Sequence, residues 1–221
     1  MKKKILLSWS GGKDSAFALR DIQNSGEYSA VTLLTTVTRE YDRISMHGVR
    51  RELLESQAAS LGLPLEIVWI EKDSSNDDFD LRMKDVLLKY KAQRVSSVAF
   101  GDLFLEDIRK YREERLASVK MKGIFPLWGR KTATLAHDFI RAGFKSVITC
   151  VDTQQLDQSF CGREYNAQFI ADLPKKIDPC GENGEFHSFV YDGPIFKKPL
   201  VFQRGEQVTR DERFRFCDLV F

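Results

Sequence analysis

Apolar residues fall along this chain in two alternating rhythms. Four short, largely apolar or β-rich runs, Ile5–Trp9, Val31–Val37, Leu65–Ile70 and Val95–Phe100, have the length of buried strands. Longer stretches with helical spacing lie between them. In the first, over about Asp14–Asn24, Phe17 and Ala18 fall one turn from Asp14, and Leu19 pairs with Ile22 on an inner face. In the second, Val49, Leu53, Leu54, Ala58 and Leu61 share a stripe, and Gly62 stands where a C-terminal cap belongs. The polar, acidic stretch Asp73–Asp80 predicts a loop able to cap the next helix. That helix carries its stripe on Phe79, Met83, Val86, Leu87 and Tyr90.

Strands alternating with such helices predict an α/β fold: a Rossmann-like, mostly parallel sheet covered on both faces. In such sheets ligands bind beyond the carboxyl ends of the strands, where the strand order reverses. The candidate loops are Ser10–Asp14, Thr35–Gly48 and Gly101–Asp107. The pattern changes near Phe125–Gly129. One more helix–strand unit follows, with a stripe through Leu135, Phe139 and Ile140, a stop at Gly143 and a strand over Ser146–Val151. Beyond it the chain reads as irregular, with Pro174, Pro179, Pro194 and Pro199 holding four of the six prolines. The expected division is a first domain over 1–124 and a smaller, less regular α/β lobe over 125–221.

Composition narrows the class. A chain of 221 residues can bury roughly 70–75% of its unfolded surface. With 43% hydrophobic and 30% charged residues, it is expected to fold rather than stay disordered. A net charge of +2 argues against a heavily basic nucleic-acid binder. No stretch approaches the run of about 18 apolar residues that a spanning helix needs. The opening Met1-Lys2-Lys3-Lys4 precedes only three apolar residues, too few for a signal peptide. Cys150, Cys161, Cys180 and Cys217 form no C-x-x-C pair and read as buried thiols. A cytoplasmic protein is expected.

The chemistry starts at Ser10-Gly11-Gly12-Lys13-Asp14-Ser15, directly between the first strand and the first helix. Glycines let the backbone turn sharply and bring its N–H groups close to an anion. The following helix points its positive end at the same place. Ser10 and Ser15 add hydroxyls, and Lys13 adds a point charge. Asp14 is out of place beside phosphate unless Mg2+ lies between them; one carboxylate plus phosphate oxygens is a usual magnesium arrangement. A Walker A loop would need four residues between Gly and Gly-Lys, so this phosphate loop is of another kind.

The six-residue string resembles the Ser-Gly-Gly-x-Asp-Ser signature of the PP-loop ATP pyrophosphatases, which have an adenine nucleotide alpha-hydrolase-like fold. Three further strings narrow the resemblance: Gly101-Asp102-Leu103-Phe104-Leu105-Glu106-Asp107-Ile108-Arg109, Pro126-Leu127-Trp128, and Asp178-Pro179-Cys180-Gly181-Glu182-Asn183-Gly184-Glu185-Phe186-His187-Ser188. They are similar to the diphthine–ammonia ligase family, from Ile5 to about Pro199. Ser188 departs from the Thr usual there but keeps a hydroxyl. Met46–Leu53 and Phe104–Asp107 look like bacterial members. The resemblance implies ATP and Mg2+ as cofactors. It also implies adenylation of a carboxylate with release of pyrophosphate, followed by displacement of AMP by ammonia. In the family the carboxylate is that of diphthine, borne on elongation factor 2. For a bacterial-type member the adenylation chemistry carries over more directly than that substrate. By the same resemblance, backbone near Leu34 and Thr35 meets adenine.

Other polar groups fall into candidate places. Asn183-Gly184 is a favoured hairpin turn, with Phe186–Tyr191 alternating as a strand after it. Such a turn would fix Glu182, Glu185 and His187 at one rim, to coordinate Mg2+, bind a cation or take a proton from ammonia; their spacing also resembles a poor zinc site. Arg109 and Arg112, three apart, share a helix face that is either solvated or a clamp for phosphate or carboxylate. Gly101 permits close approach to the nucleotide, and Asp102 is a candidate for ribose or metal contact. His47 and Arg50 lie at the ligand edge, whereas His137 receives no role.

Together these features point to an ATP-dependent amide-forming ligase. Its expected catalytic residues are Lys13, Asp14, Glu182, Glu185 and His187, with Asp14 the metal ligand. The expected nucleotide site comprises Ser10, Gly11, Gly12, Lys13, Asp14, Ser15, Leu34, Thr35, Gly101 and Asp102. Substrate contacts are expected from His47, Arg50, Arg109 and Arg112. Ammonia and a carboxylate, protein-borne in the family, are the expected partners; homodimerisation stays open. Two other functions stay open as well: a tRNA-thiolating PP-loop enzyme, which wants paired reactive cysteines and a basic RNA surface, and a sensor that holds ATP without turnover.

Overall fold

The computed structural model describes residues 2–44 and 47–221; Ser45 and Met46, inside the predicted 35–48 loop, lie outside the described residues. The first apolar run forms β1 (Lys3–Ser8), and both its faces are covered. Ile5 and Leu7 enter one hydrophobic cluster and Leu6 enters another, as a central parallel strand requires. The chain continues through α1 (Lys13–Ser25), β2 (Tyr28–Thr38), β3 (Arg43–Ile44), α2 (Arg51–Leu61), β4 (Leu65–Ile70) and α3 (Asn76–Ala92). Next come β5 (Ser97–Ala99), α4 (Glu106–Ser118) and β6 (Lys122–Ile124).

Strands β2, β1, β5 and β6 are neighbours in that order and run parallel. β4 joins β2 in parallel, while the short β3 lies antiparallel to the end of β2. Chain order therefore runs outward from β1 in both directions and reverses between β1 and β5. The predicted Rossmann-like sheet is present, with its crevice at the carboxyl ends of those two strands. Gly62, at φ 69°, ends α2 and donates its N–H to the Ala58 and Ala59 carbonyls. Ser75 caps α3 by accepting from the Asp78 N–H. Much of the acidic stretch expected as loop is thus the first turn of α3, where Asp77 and Asp78 suit the positive helix end.

The rest of the chain forms α5 (Thr132–Arg141), β7 (Lys145–Asp152), a 3-10 turn at Gln158–Phe160, α6 (Ala167–Asp172), β8 (Phe186–Asp192), β9 (Gln203–Arg210) and β10 (Phe214–Val220). Its strands make a separate antiparallel sheet in the order β8-β7-β10-β9. Two expectations are corrected here. The chain beyond residue 151 is more regular than its prolines suggested. β9 escaped notice because it is an edge strand exposed at every position except the half-buried Val208. Its turn into β10 places Asp211 and Glu212, not glycine or asparagine, at φ 50° and 51°. Conversely, Asn183-Gly184 makes no hairpin: β8 pairs with β7, and no strand precedes the turn.

One core joins the two sheets. Phe17 of α1 packs edge-on against Phe139 of α5 at 6.0 Å and against Phe144 at 5.9 Å, in the cluster that holds Val147 and Phe189. Full burial of such a side chain contributes about 1.5–3 kcal/mol. Leu6, Leu34, Val68, Leu87, Val98 and Leu116 fill the other face of the parallel sheet, beneath α3 and α4. β8 consequently lies against the first turn of α1, which sets the geometry of the site.

Candidate active site

The loop after β1 turns sharply at Gly11, whose φ is 74°. A Cβ there would lie 2.8 Å from both Gln57 Oε1 and Leu54 Cδ2, so only glycine fits. The loop is held from the second sheet. Val190 donates its N–H to the Gly11 carbonyl at 2.9 Å, and the Lys13 N–H donates to Ser188 Oγ at 3.2 Å. Within the loop, Ser15 Oγ donates to the Gly12 carbonyl at 2.9 Å, and Ser10 Oγ accepts from the Gly12 N–H at 3.3 Å. The loop after β5 touches the same turn, since a Cβ on Gly101 would lie 2.8 Å from the Asp14 carbonyl carbon.

A cleft of about 280 Å³ opens at this junction. Ser10, Gly12, Lys13, Asp14, Ser15, His47, Gly101, Asp102, Arg112, Glu182 and His187 line it. Gly11, Leu34, Thr35, Arg50, Arg109 and Glu185 do not. Gly11 lies behind the loop, and the Leu34 carbonyl accepts from the Trp9 N–H. Thr35 is buried with its hydroxyl unpaired. Arg50 pairs with Asp218 at 2.6 Å. Arg109 lies over the faces of Phe125 and Trp128 and donates to Glu113. Glu185 is 2% exposed, and its carboxylate accepts from the Asp178 N–H and from both the backbone and side-chain N–H groups of Asn183, each at 3.0 Å. That carboxylate shapes the 178–185 loop and faces away from the cleft.

Charge in the cleft is densely coupled. Lys13 is only 5% exposed, and its Nζ lies 2.7 Å from Asp14 Oδ2. Burial works against its charge, yet Asp14, Cys180 and Glu182 hold the ammonium above its ordinary value. Glu182 accepts from the Leu103 N–H at 2.7 Å. Burial, with Asp14 and Asp102 adding to it, pushes the Glu182 carboxyl up to about 7 against the pull of Leu103 and Lys13. Burial raises Asp102 as well, against Arg112, with Asp14 again adding. Arg112 Nη2 donates to Asp102 Oδ1 at 3.2 Å, while its Nε lies 2.7 Å from Oδ2 without the direction of a hydrogen bond. Asp14, Asp102 and Glu182 thus line one cleft beside the 10–15 loop, with buried Lys13 and the Asp102 partner Arg112 offsetting their charge.

The two histidines nominated from distant parts of the chain meet. His47, after β3, and His187, on β8, have ring centroids 4.4 Å apart at 39°. Burial lowers His187 to about 4, with Lys13 helping and Glu185 opposing. Burial, then His187 and Lys13, hold His47 well below its ordinary value, although its ring donates a bond to the Ser188 backbone carbonyl. Both imidazoles are neutral at pH 7, and His47 Nδ1 is buried without a hydrogen-bond partner.

Comparison with known proteins places the whole chain. Residues 1–122 match the model of the diphthamide synthase N-terminal domain, and residues 131–218 match that of its C-terminal domain. The chain belongs to the diphthamide synthase family. Relatives include the diphthine–ammonia ligase of Danio rerio, 27% identical over 92% of this chain and 88% of its own length. The human diphthine–ammonia ligase is 25% identical over 90% of this chain and 82% of its own. The Schizosaccharomyces pombe diphthine–ammonia ligase is longer: 26% identity spans 93% of this chain but 37% of the relative.

In this diphthamide synthase family chain, several cleft residues had escaped sequence reasoning. Phe100, Leu105 and Ile108 form an apolar wall, and Ser8, Cys180, Gly181, Gly184, Phe186 and Ser188 complete the lining. Phe100 and Leu105 read as strand and loop residues, so no spacing singled them out. Gln57 falls on the buried stripe of α2, where a polar residue among Leu53, Leu54, Ala58 and Leu61 was the available signal. Among the described residues, no group of three or more His, Cys, Asp and Glu is arranged to hold a metal ion. With Glu185 turned into its own loop, the Glu182–His187 string offers no zinc site.

Proposed function

We propose that this chain is an ATP-dependent ligase that adenylates a carboxylate and transfers the acyl group to ammonia, as a diphthine–ammonia ligase does. The observation that carries the reading is the junction of Lys13, Asp14, Asp102 and Glu182 with backbone N–H groups at the positive end of α1. There Gly12, Lys13 and Ser15 take the triphosphate, and the apolar wall of Phe100, Leu105 and Ile108 takes a flat or aliphatic part of the bound pair. Asp102 is already paired with Arg112, and burial raises Glu182 beside it. Asp14, exposed to the cleft, would be the one carboxylate to hold Mg2+, and the ion would supply charge neutralisation for pyrophosphate.

The chain's own groups cover both half-reactions. In the first, a substrate carboxylate oxygen attacks the α-phosphorus, and pyrophosphate leaves while Lys13 offsets its charge. In the second, the ammonia nitrogen bonds the acyl carbon and AMP departs. Neutral His187, backed by His47, accepts the proton that the nitrogen sheds. Residues 1–124 serve the nucleotide, and 125–221 close over the acyl group. Four free, buried cysteines suit a reducing cytoplasm, and among the described residues no helix is long and apolar enough to cross a membrane.

A pyrophosphate-release screen over carboxylates, diphthine-bearing elongation factor 2 included, tests the proposal. Release should need both a carboxylate and this protein, and amide should form only with ammonium present. ATP binding without pyrophosphate or AMP release from any carboxylate would instead leave a nucleotide sensor.

A further inference from the structure

Gln57 has no place in the half-reactions, yet it is the most completely committed polar side chain near the site. It is fully buried at 0% exposure on α2, between the phosphate loop and β8. Its Oε1 accepts from Trp9 Nε1 at 2.8 Å. Its Nε2 donates to the Gly11 carbonyl at 2.9 Å and to the Val190 carbonyl at 2.6 Å. An indole N–H only donates and a carbonyl only accepts, so the amide can sit in one orientation only. The Gly11 carbonyl is bonded twice, by Gln57 and by the Val190 N–H.

That double bond has an electrostatic consequence. In a trans peptide the C=O and the next N–H point in opposite directions. Drawing the Gly11 carbonyl back toward Gln57 and Val190 therefore turns the Gly12 N–H toward the cleft. There it holds only the long 3.3 Å bond to Ser10 Oγ, leaving it free to take an anion. A flip of this peptide would present a carbonyl oxygen to the phosphates. We propose that Gln57 is a positioning residue for nucleotide binding: it locks the Gly11–Gly12 peptide in the orientation that receives the triphosphate and ties that orientation to β8 of the second sheet. This rests on the nucleotide reading of the loop. No other residue type fills the role. Glutamate would set a negative oxygen against two carbonyls, and methionine would leave Trp9, Gly11 and Val190 each short of a partner.

The test is the affinity of the whole protein for ATP, with adenosine as the control, in Gln57→Met and Gln57→Glu between pH 6 and 8.5. Gln57→Met should weaken ATP about tenfold and leave adenosine little changed. For Gln57→Glu, the loss relative to wild type should grow with pH, because the acid form donates one O–H and the carboxylate none. A merely structural glutamine would show neither the selectivity nor the pH trend. Wild-type ATP affinity in both folded variants overturns the proposal, as does equal weakening of ATP and adenosine. If neither variant folds, Trp9→Phe removes the donor that orients Gln57 along with part of a buried ring, and should weaken ATP about threefold more than adenosine; no such selectivity there overturns the proposal. A wild-type protein that fails to bind ATP overturns the nucleotide reading itself, whereas binding by wild type and variants alike overturns only this role.

Discussion

Two segments meet across the cleft, and they use opposite means. The glycine-rich loop, residues 10–15, is organised through its backbone: a glycine at positive φ, N–H groups gathered at the start of α1, and two serines bonding within the loop. The 178–188 segment works through side chains that are sorted individually. Glu182 and His187 reach the cleft, whereas Glu185, between them, is spent on its own loop. A backbone motif keeps its meaning wherever its strand and helix form. A side chain's meaning depends on what the rest of the fold sets against it.

The largest effect expected from either side is on the loop. Asp14→Asn keeps an acceptor for Lys13 but removes the charge, and pyrophosphate release should fall by about 100-fold or more while the protein still folds, with some loss of melting temperature from the buried Lys13. Near-normal turnover would break the contrast at its strong end. Within the 178–188 segment the two glutamates should separate cleanly. Glu185→Ala leaves buried N–H groups of Asp178 and Asn183 unpaired and should cost about 2–3 kcal/mol in urea unfolding. Glu182→Gln should lower turnover about tenfold without loss of stability. The reverse pattern would mean that the catalytic and structural carboxylates have been exchanged.

Acidity sharpens the same point more gently. Because the Glu182 carboxyl is raised to about 7 in the fold, the native state holds its proton longer than the unfolded chain does. Its contribution to stability is therefore full below the ordinary carboxylate value and is lost as pH rises through about 7. Measured by thermal melting without nucleotide, the stability of Glu182→Gln relative to wild type should climb over that window and then level off. A flat difference would show that Glu182 is not buried among like charges. The smallest effect concerns the β9–β10 turn: Glu212→Gly relieves a side chain at φ 51° and should stabilise by about 0.5–1 kcal/mol in the same assay.

The parallel half of the fold was readable from pattern because both determinants are local. β4 forms over the residues its apolar run marked, and Gly62 ends α2 where its position foretold. The antiparallel half was not. β9 is exposed at nearly every position, and its turn carries aspartate and glutamate where glycine would have advertised it. Asn183-Gly184 carried a hairpin signal and yet forms none, because Glu185 draws that loop into hydrogen bonds of its own.

The order of residues alone determined a glycine-rich turn between a strand and a helix, a parallel sheet to carry it, and a family. Those depend on spacings of a few residues and on backbone conformations that only certain residues adopt. Tertiary structure decided which glutamate lines the cleft, that His47 meets His187, and that Gln57 and Ser188 hold the loop. The bond from the Lys13 N–H to Ser188 Oγ spans 175 positions, and the bond from Gln57 to Val190 spans 133. Contacts of that reach come from packing one sheet on another, and that packing leaves no periodic mark on either segment alone.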